Sequence, residues 1–398
     1  MRRVFISAGE ASGEQYAVQL MAALRPRLGE VEFFGLGGIR MEAAGFHRVV
    51  RAEDVAVLGI TEIVRHIPRI YREYRKLRRA LSPRDATERP DVLVLIDFPD
   101  VNLGLARRAR ALGIPVVFFV SPQVWAWKKH RLSRIRRDVD RMLVIFPFEE
   151  PWYRERGVPA TFVGHPLAEL PLPSITRQQF AAEHALNPAK HWIGLLPGSR
   201  PREIALNLPA MLGAAKLLGP EHEYVLPLAP TLSPAQESDV RRMLAVAAPM
   251  RVTLTHDARS TLHHARASVV ASGTATVEAA LIGNPFAVVY RLSGASYALA
   301  KRVVKVPHVA MANLVAGERI VPELIQDAFT PEAVAASMRT LIEPTPERAA
   351  MQLALARVRL SLQGDASAID TVADHVLSLL PGFSSSTPMN ERPLSLAL

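Results

Sequence analysis

The chain has 398 residues and a formal net charge of +10, with 49% hydrophobic and 22% charged residues. That length exceeds one ordinary domain and suits two of roughly 150–200 residues, each with its own apolar core. The absence of cysteine excludes disulfides and thiolate chemistry, no apolar run approaches the roughly 18–20 residues that span a bilayer, and the basic balance calls for an anionic partner: nucleic acid, anionic lipid or a phosphorylated substrate.

After Met1-Arg2-Arg3 the apolar run breaks almost at once into Gly9 and Glu10. It reads as a first strand, Val4–Ala8, and not as a signal peptide, so the expected compartment is the cytoplasm. A helical pattern over about Ser12–Leu28 leads to a second strand at Val31–Gly35. Within residues 61–81, Ile63, Val64, Ile67, Ile70, Tyr71, Tyr74 and Leu77 recur at helical spacing. They stand against Arg65, Arg69, Arg72, Arg75, Lys76, Arg78 and Arg79, with Pro68 interrupting. This basic amphipathic pattern has two readings, an element lying on an anionic membrane surface or a core-covering helix with a basic outer face.

Asp91–Ile96 and Val116–Val120 are unbroken apolar runs with a helical Val101–Leu112 between them, and Arg141–Ile145 is a further strand. Runs of this kind alternating with helices predict parallel strands covered on both faces. The prolines of Pro166–Pro173 suit a semi-rigid linker. The second half repeats the grammar with strands at Trp192–Leu196, Tyr224–Pro227, Val252–Thr255, Ala267–Ala271 and Phe286–Tyr290. The expected fold is α/β, two doubly wound domains in series with a ligand cleft between them at the carboxyl ends of the strands. The expected divisions are 1–168, 174–345, a helical segment 346–381 and a disordered tail 382–398.

Three strand-ending loops place glycine beside hydroxyl or charged residues at the start of a helix: Ser7–Glu14, Leu196–Arg200 with Glu203 one turn on, and Ala271–Thr276 with Glu278 one turn on. Such a turn offers backbone N–H groups and the positive end of a helix dipole to an anion, and Arg200 adds a fork for phosphate. A glutamate one turn into the helix is placed to hold the hydroxyls of a ribose. The plainer reading of any one loop is a helix cap. Neither a phosphate-loop signature nor a strand-following G-x-G-x-x-G is present.

Asp97 directly follows an apolar strand, where α/β enzymes carry their chemistry, and is the candidate general base. Asp100 or Asn102 serves equally to cap the next helix. Ser121-Pro122-Gln123-Val124-Trp125-Ala126-Trp127 follows another strand. Its tryptophans either pack a sugar or acyl chain or fill the core. Lys128, Lys129, His130, Arg131, Arg134, Arg136 and Arg137 then form either a solvated basic face or an anionic-headgroup site. His165 sits at the hinge, and no histidines have metal spacing, so no metal is expected.

Together, Ser7-Ala8-Gly9-Glu10-Ala11-Ser12-Gly13, Asp97-x-Pro99-Asp100, the Ser121–Trp127 run, Val163-Gly164-His165-Pro166, Leu196-Pro197-Gly198-Ser199-Arg200-x-x-Glu203 and Ala271-Ser272-Gly273-Thr274-Ala275 resemble the lipid-A-disaccharide synthase family, in order, from about Val4 to Leu341. The resemblance implies a GT-B architecture and inverting transfer of 2,3-diacylglucosamine from UDP to 2,3-diacylglucosamine 1-phosphate (lipid X). It implies a β-1,6 disaccharide product made at the cytoplasmic face of the inner membrane. By position it assigns Asp97 as general base and Glu10 and Ser12 as first-loop residues affecting activity. Gly198, Ser199, Arg200, Ser272, Gly273, Thr274, Ala275, Glu278 and Asn313 fall to the donor site. Asp100, Gln123, Trp125, Trp127 and His165 are acceptor or supporting residues, and Arg69, Arg72 and Arg75 face the membrane. Glu14, Val101 and Ala312 depart from the family's usual aspartate, phenylalanine and proline. No cofactor and no nucleic-acid partner are expected, and a homodimer is left open. The competing readings are another GT-B enzyme acting on UDP-N-acetylglucosamine or a different lipid, and a non-enzymatic anionic-surface binder.

Overall fold

The unbroken apolar runs become the buried centres of two parallel sheets. The computed structural model describes residues 1–55, 63–245, 250–294, 297 and 306–383. The chain divides into two compact units, Met1–Pro166 together with the residues from Gly364 onward, and Leu167–Gln363.

The first unit runs β1 (Arg2–Ala8), α1 (Ala11–Leu28), β2 (Val31–Gly37), α2 (Ile39–Ala43), β3 (Phe46–Arg51), α3 (Ala52–Val55), α4 (Ile63–Leu81), β4 (Val92–Ile96), α5 (Pro99–Ala111), β5 (Val116–Phe119), α6 (Leu132–Asp138), β6 (Arg141–Val144), α7 (Glu149–Arg154) and β7 (Ala160–Phe162). Its seven-stranded sheet has the order β3-β2-β1-β4-β5-β6-β7, and each neighbouring pair is parallel. All five residues of β4 are buried, as an apolar strand with helices on both faces requires. Strand order reverses between β1 and β4, which makes that boundary the switch point where doubly wound sheets bind ligands.

The second unit runs α8 (Arg177–His184), β8 (Trp192–Leu196), α9 (Pro201–Leu218), β9 (Glu223–Pro227), α10 (Pro234–Ala245), β10 (Val252–Thr255), α11 (Ala258–His264), β11 (Ala267–Ala271), α12 (Thr274–Ile282), β12 (Phe286–Tyr290) and β13 (Glu323–Ile325), with further helices at Met311–Ala316, Pro331–Ile342 and Pro346–Ser361. Its six strands follow β10-β9-β8-β11-β12-β13, again parallel, with the reversal between β8 and β11.

The Pro166–Pro173 segment, expected as a semi-rigid linker, opens with a 3-10 turn at Pro166–Glu169 that buries Leu167 and Ala168. The C-terminal helical segment is split. The helix Pro346–Ser361 stays in the second unit against α12, while the helix Ala368–Leu377 returns to the first unit and packs on α1 and β5. Its buried face of Val372, Ala373 and Val376 drives that return, and Arg27 pairs with Asp374 at its edge. Of the expected tail, residues 384–398 lie outside the described residues.

Candidate functional site

In the first unit β1 and β4 end level, with Ala8 paired to Ile96, so the loops that follow them share one corner of the sheet. Gly9 is required by contact: a Cβ there would lie 2.6 Å from the Phe98 ring. Asp97 and Phe98 both hold left-handed backbone, at φ 48° and 49°. Two successive non-glycine residues in that region store strain that surrounding contacts must hold. The holding is explicit. The Asp97 amide donates to the Phe119 carbonyl at 3.0 Å, and Asn102 Nδ2 donates to the Asp97 carbonyl at 2.6 Å. Asn102 is fully buried and its Oδ1 accepts from Ser7 Oγ at 2.6 Å. Asn102 therefore does not cap α5; it clamps the ends of β1 and β4 together.

Burial, and then the neighbouring Glu10 carboxylate, push the Asp97 carboxyl up to about 7, against a hydrogen bond from the Phe98 amide. A carboxylate with a pKa near the working pH suits general-base chemistry. Glu10 stands exposed at the N-cap of α1 and Ser12 half-buried in its first turn. Glu14 instead turns inward and caps α2, accepting from the amides of Arg40 at 2.7 Å and Met41 at 3.3 Å.

The Ser121–Trp127 loop begins with another strained residue, Val120 at φ 62°. Beneath it Glu149 is buried, accepting from Ser121 Oγ at 2.6 Å, Trp125 Nε1 at 3.0 Å and the Phe146 amide at 3.2 Å. Burial raises its pKa to about 7, with those three donors opposing. The tryptophans thus separate: Trp125, 8% exposed, fills the core edge-on to Phe148, while Trp127 is 39% exposed with the Lys128 ammonium 4.2 Å from its ring centre. Gln123 is exposed at the turn. Asp100 is exposed and paired with Arg131 and with Lys128 at 3.6 Å, so part of the basic run serves the fold. His165 is buried beside Phe146, and burial lowers its pKa to about 3. Its ring packs against that of Phe146 in the neutral form.

Pro68 and Arg69 are exposed on α4, whereas Leu77 and Leu81 are buried. Arg69 pairs with Asp54 at 2.6 Å, Arg72 with Glu73 at 3.6 Å, and Arg75 lies 6.0 Å from the Tyr71 ring centre. The side chains of residues 63–67, and all of 56–62, lie outside the described residues. Among the described residues no helix is long and apolar enough to cross a membrane.

In the second unit Leu196 pairs with Val270, so the Gly198–Arg200 and Ser272–Thr276 loops also share a switch point. Gly198 has φ 119° and a Cβ there would lie 2.8 Å from Glu203 Cβ. Glu203 accepts from the Ser199 amide at 3.2 Å and meets Arg200 at 3.3 Å. It braces its own loop, whereas Glu278 has no such contact with the turn it follows. Burial raises the pKa of Glu278, Arg259 lowers it and Asp257 raises it. Arg200 is largely exposed, its guanidinium held by Glu203 through Nη1 alone. Arg200 and Gly273 are the N-caps of α9 and α12, and neither caps its helix through a side chain. By contrast Thr176, Asp257, Thr330, Thr345 and Ser367 cap their helices in the ordinary way. The helices facing the switch point therefore keep amide donors for an anion. Ser199, Gly273 and Thr274 are exposed there, with Ser272 and Ala275 half-buried.

Asn207 escaped the sequence reading. Fully buried, it donates to the Pro197 carbonyl at 2.9 Å and accepts from the Arg291 amide at 3.1 Å, tying the ends of β8 and β12. Asn313, expected at the donor site, is fully buried. Its Nδ2 donates to the Val321 carbonyl at 3.0 Å and Glu323 at 2.8 Å, and its Oδ1 accepts from the Ile320 and Val321 amides at 2.9 Å each. Its hydrogen-bonding capacity is spent inside the fold.

Comparison with known proteins adds independent support. Residues 4–381 match the family model described as lipid-A-disaccharide synthetase. The lipid-A-disaccharide synthase of Acidobacterium capsulatum is 62% identical over 370 residues, 90% of this chain and 91% of that protein. That of Koribacter versatilis is 50% identical over 383 residues, 95% and 99% respectively. Among solved structures, MurG of Acinetobacter baumannii superposes with a TM-score of 0.57 at 16% identity, covering 94% of this chain and 99% of that one. Two parallel doubly wound sheets with paired loops at each switch point are the GT-B fold, and the chain belongs to the lipid-A-disaccharide synthase family of glycosyltransferases.

Proposed function

We propose that the chain transfers 2,3-diacylglucosamine from UDP-2,3-diacylglucosamine to the 6-hydroxyl of lipid X, with inversion at the anomeric carbon. The 6-hydroxyl proton passes to Asp97 as the oxygen attacks. The bond from the anomeric carbon to the pyrophosphate breaks, and its electron pair leaves on UDP. Asp97 carries this reading: a carboxyl near neutral pKa, held by strained backbone at the first unit's switch point. Burial, and after it Glu10, keeps that pKa high, and Ser12 lies in the first turn of α1. The leaving diphosphate is held by Arg200 and the uncapped N-termini of α9 and α12, through Gly198, Ser199, Ser272, Gly273, Thr274 and Ala275, while Glu278 takes the ribose. These fixed donors supply the charge stabilisation that a divalent cation provides in other transferases.

Gln123, Trp127 and Asp100 border the acceptor. Both substrates carry acyl chains, so the enzyme meets them at a membrane, in this reading the cytoplasmic face of the inner membrane. The exposed arginines of α4 supply the contact, since surface ion pairs such as Arg69–Asp54 are weak and exchange readily for lipid phosphate. Replacing Arg69, Arg72 and Arg75 by glutamate is expected to abolish binding to anionic vesicles; unchanged binding rejects the membrane role.

The decisive test is Asp97→Ala assayed with purified UDP-2,3-diacylglucosamine and lipid X. Turnover is expected to fall by about 10²–10⁴-fold with UDP affinity unchanged. Retained turnover rejects Asp97 as base, and turnover of unacylated UDP-N-acetylglucosamine by the parent protein favours a different GT-B reaction.

A further inference from the structure

The amino edge of the second sheet holds a cavity of about 320 Å³ that the transfer reaction leaves unused. Lys190 and His191 lead into β8, Arg266 leads into β11, Arg177 opens α8, His264 closes α11, and Arg348 comes from the helix Pro346–Ser361. β8 and β11 are neighbours. The cavity therefore lies at the opposite end of β8 and β11 from Gly198 and Gly273, with a strand length of roughly 16 Å between, at about 3.3 Å per strand residue.

Four full positive charges line it, and no carboxylate does. Among the described residues none of Arg177, Lys190, Arg266 and Arg348 forms an ion pair. The carboxylate that Arg177 feels, Glu223, is engaged by the Asn187 amide at 2.7 Å and by Arg251 at 3.5 Å.

The guanidinium groups are fixed in place. Arg177 sits 3.7 Å from the Trp192 ring centre and donates to the carbonyls of Pro188, His264 and Lys190. Arg266 spends Nε on the Ile342 carbonyl at 2.6 Å. Arg348, 8% exposed, spends Nη1 on the carbonyls of Arg266 and Leu341. The other N–H groups of these two arginines have no protein acceptor among the described residues. Converging cations held partly out of water repel one another unless a counter-ion joins them, and arginine forks match phosphate oxygens.

We propose that this cavity is a second anion site, separate from the donor site, which binds a diphosphate-class oxyanion. Its volume admits a group of that size.

The test is calorimetric titration of inorganic pyrophosphate into the full chain saturated with UDP, so that the donor loops are already filled. One further equivalent per chain is expected to bind. Affinity should weaken by about tenfold or more in Lys190→Gln and Arg266→Gln, each a lost charge-assisted contact. His191→Glu, on an exposed lining residue, should weaken it as well without disturbing packing. UDP affinity of the His191 variant reports folding. An Arg200→Ala protein titrated with UDP alone tests the donor site separately, so failure of one site is distinguishable from failure of the other. Absence of a pyrophosphate event beside bound UDP, or unchanged affinity in the His191 variant, overturns the proposal.

Discussion

At Asp97 burial and a like charge act in the same direction. Both raise the carboxyl's pKa, and only the Phe98 amide opposes them. A base with pKa about 7 is protonated, and so inactive, on the acid side. The kcat/KM profile is expected to fall below about pH 7, with slope one. Glu10→Gln removes the like charge, so the acid limb should shift to lower pH; an unmoved limb separates Glu10 from the base. The position of Asp97 at a strand's carboxyl end was legible in the sequence, because five apolar residues run straight into it. Asn102 and Asn207 were not, since their partners lie 95 and 84 residues away in the chain. An asparagine near a helix start reads as a cap until the strand across from it is known. The hydrogen bonds that the Asn313 side chain makes to Ile320, Val321 and Glu323 were likewise invisible before the fold was known.

Elements, more than single side chains, build the half-sites. Each unit puts two loops on adjacent strand ends because the strand order reverses there, both with glycine in the second unit and only the one after β1 in the first. In the first unit the fit between the loops is tight enough to test. Gly9→Ala drives a Cβ into the Phe98 ring, and Phe98 adjoins Asp97. Turnover should drop by about tenfold or more, since small misplacements of a reacting group are costly, while UDP affinity stays unchanged. Normal turnover in this variant means that the loop relaxes without moving the carboxylate. The central strands were legible as unbroken apolar runs. β3, β7 and β13 were missed for a physical reason: β3, β7 and β13 are sheet edges, and β7 and β13 have three residues each. Too few positions remain to display a period, and β3 carries the exposed His47 and Arg51 beside a half-buried, ion-paired Arg48. Caps told more than motifs did, because the helices without side-chain caps at the two switch points are the ones whose amides remain for a ligand.

Over the whole molecule, the sequence conveyed two similar halves but not how the chain is apportioned between them. The last helix, Ala368–Leu377, reads as an appendage of the second half, yet its apolar face belongs to α1 and β5. Nothing in its composition names that partner; only the fold does. Ending the chain after Gln363 should therefore lower the thermal stability of the first unit and abolish transfer, with UDP still bound by the second. Full activity of the shortened chain refutes this assignment. The same return path has a consequence for biosynthesis. As the ribosome delivers the chain from its amino end, every residue of the second unit emerges before the first unit receives its closing helix. The half begun earliest is completed last, and the flank of α1 must wait, greasy and uncovered, while some two hundred residues are translated.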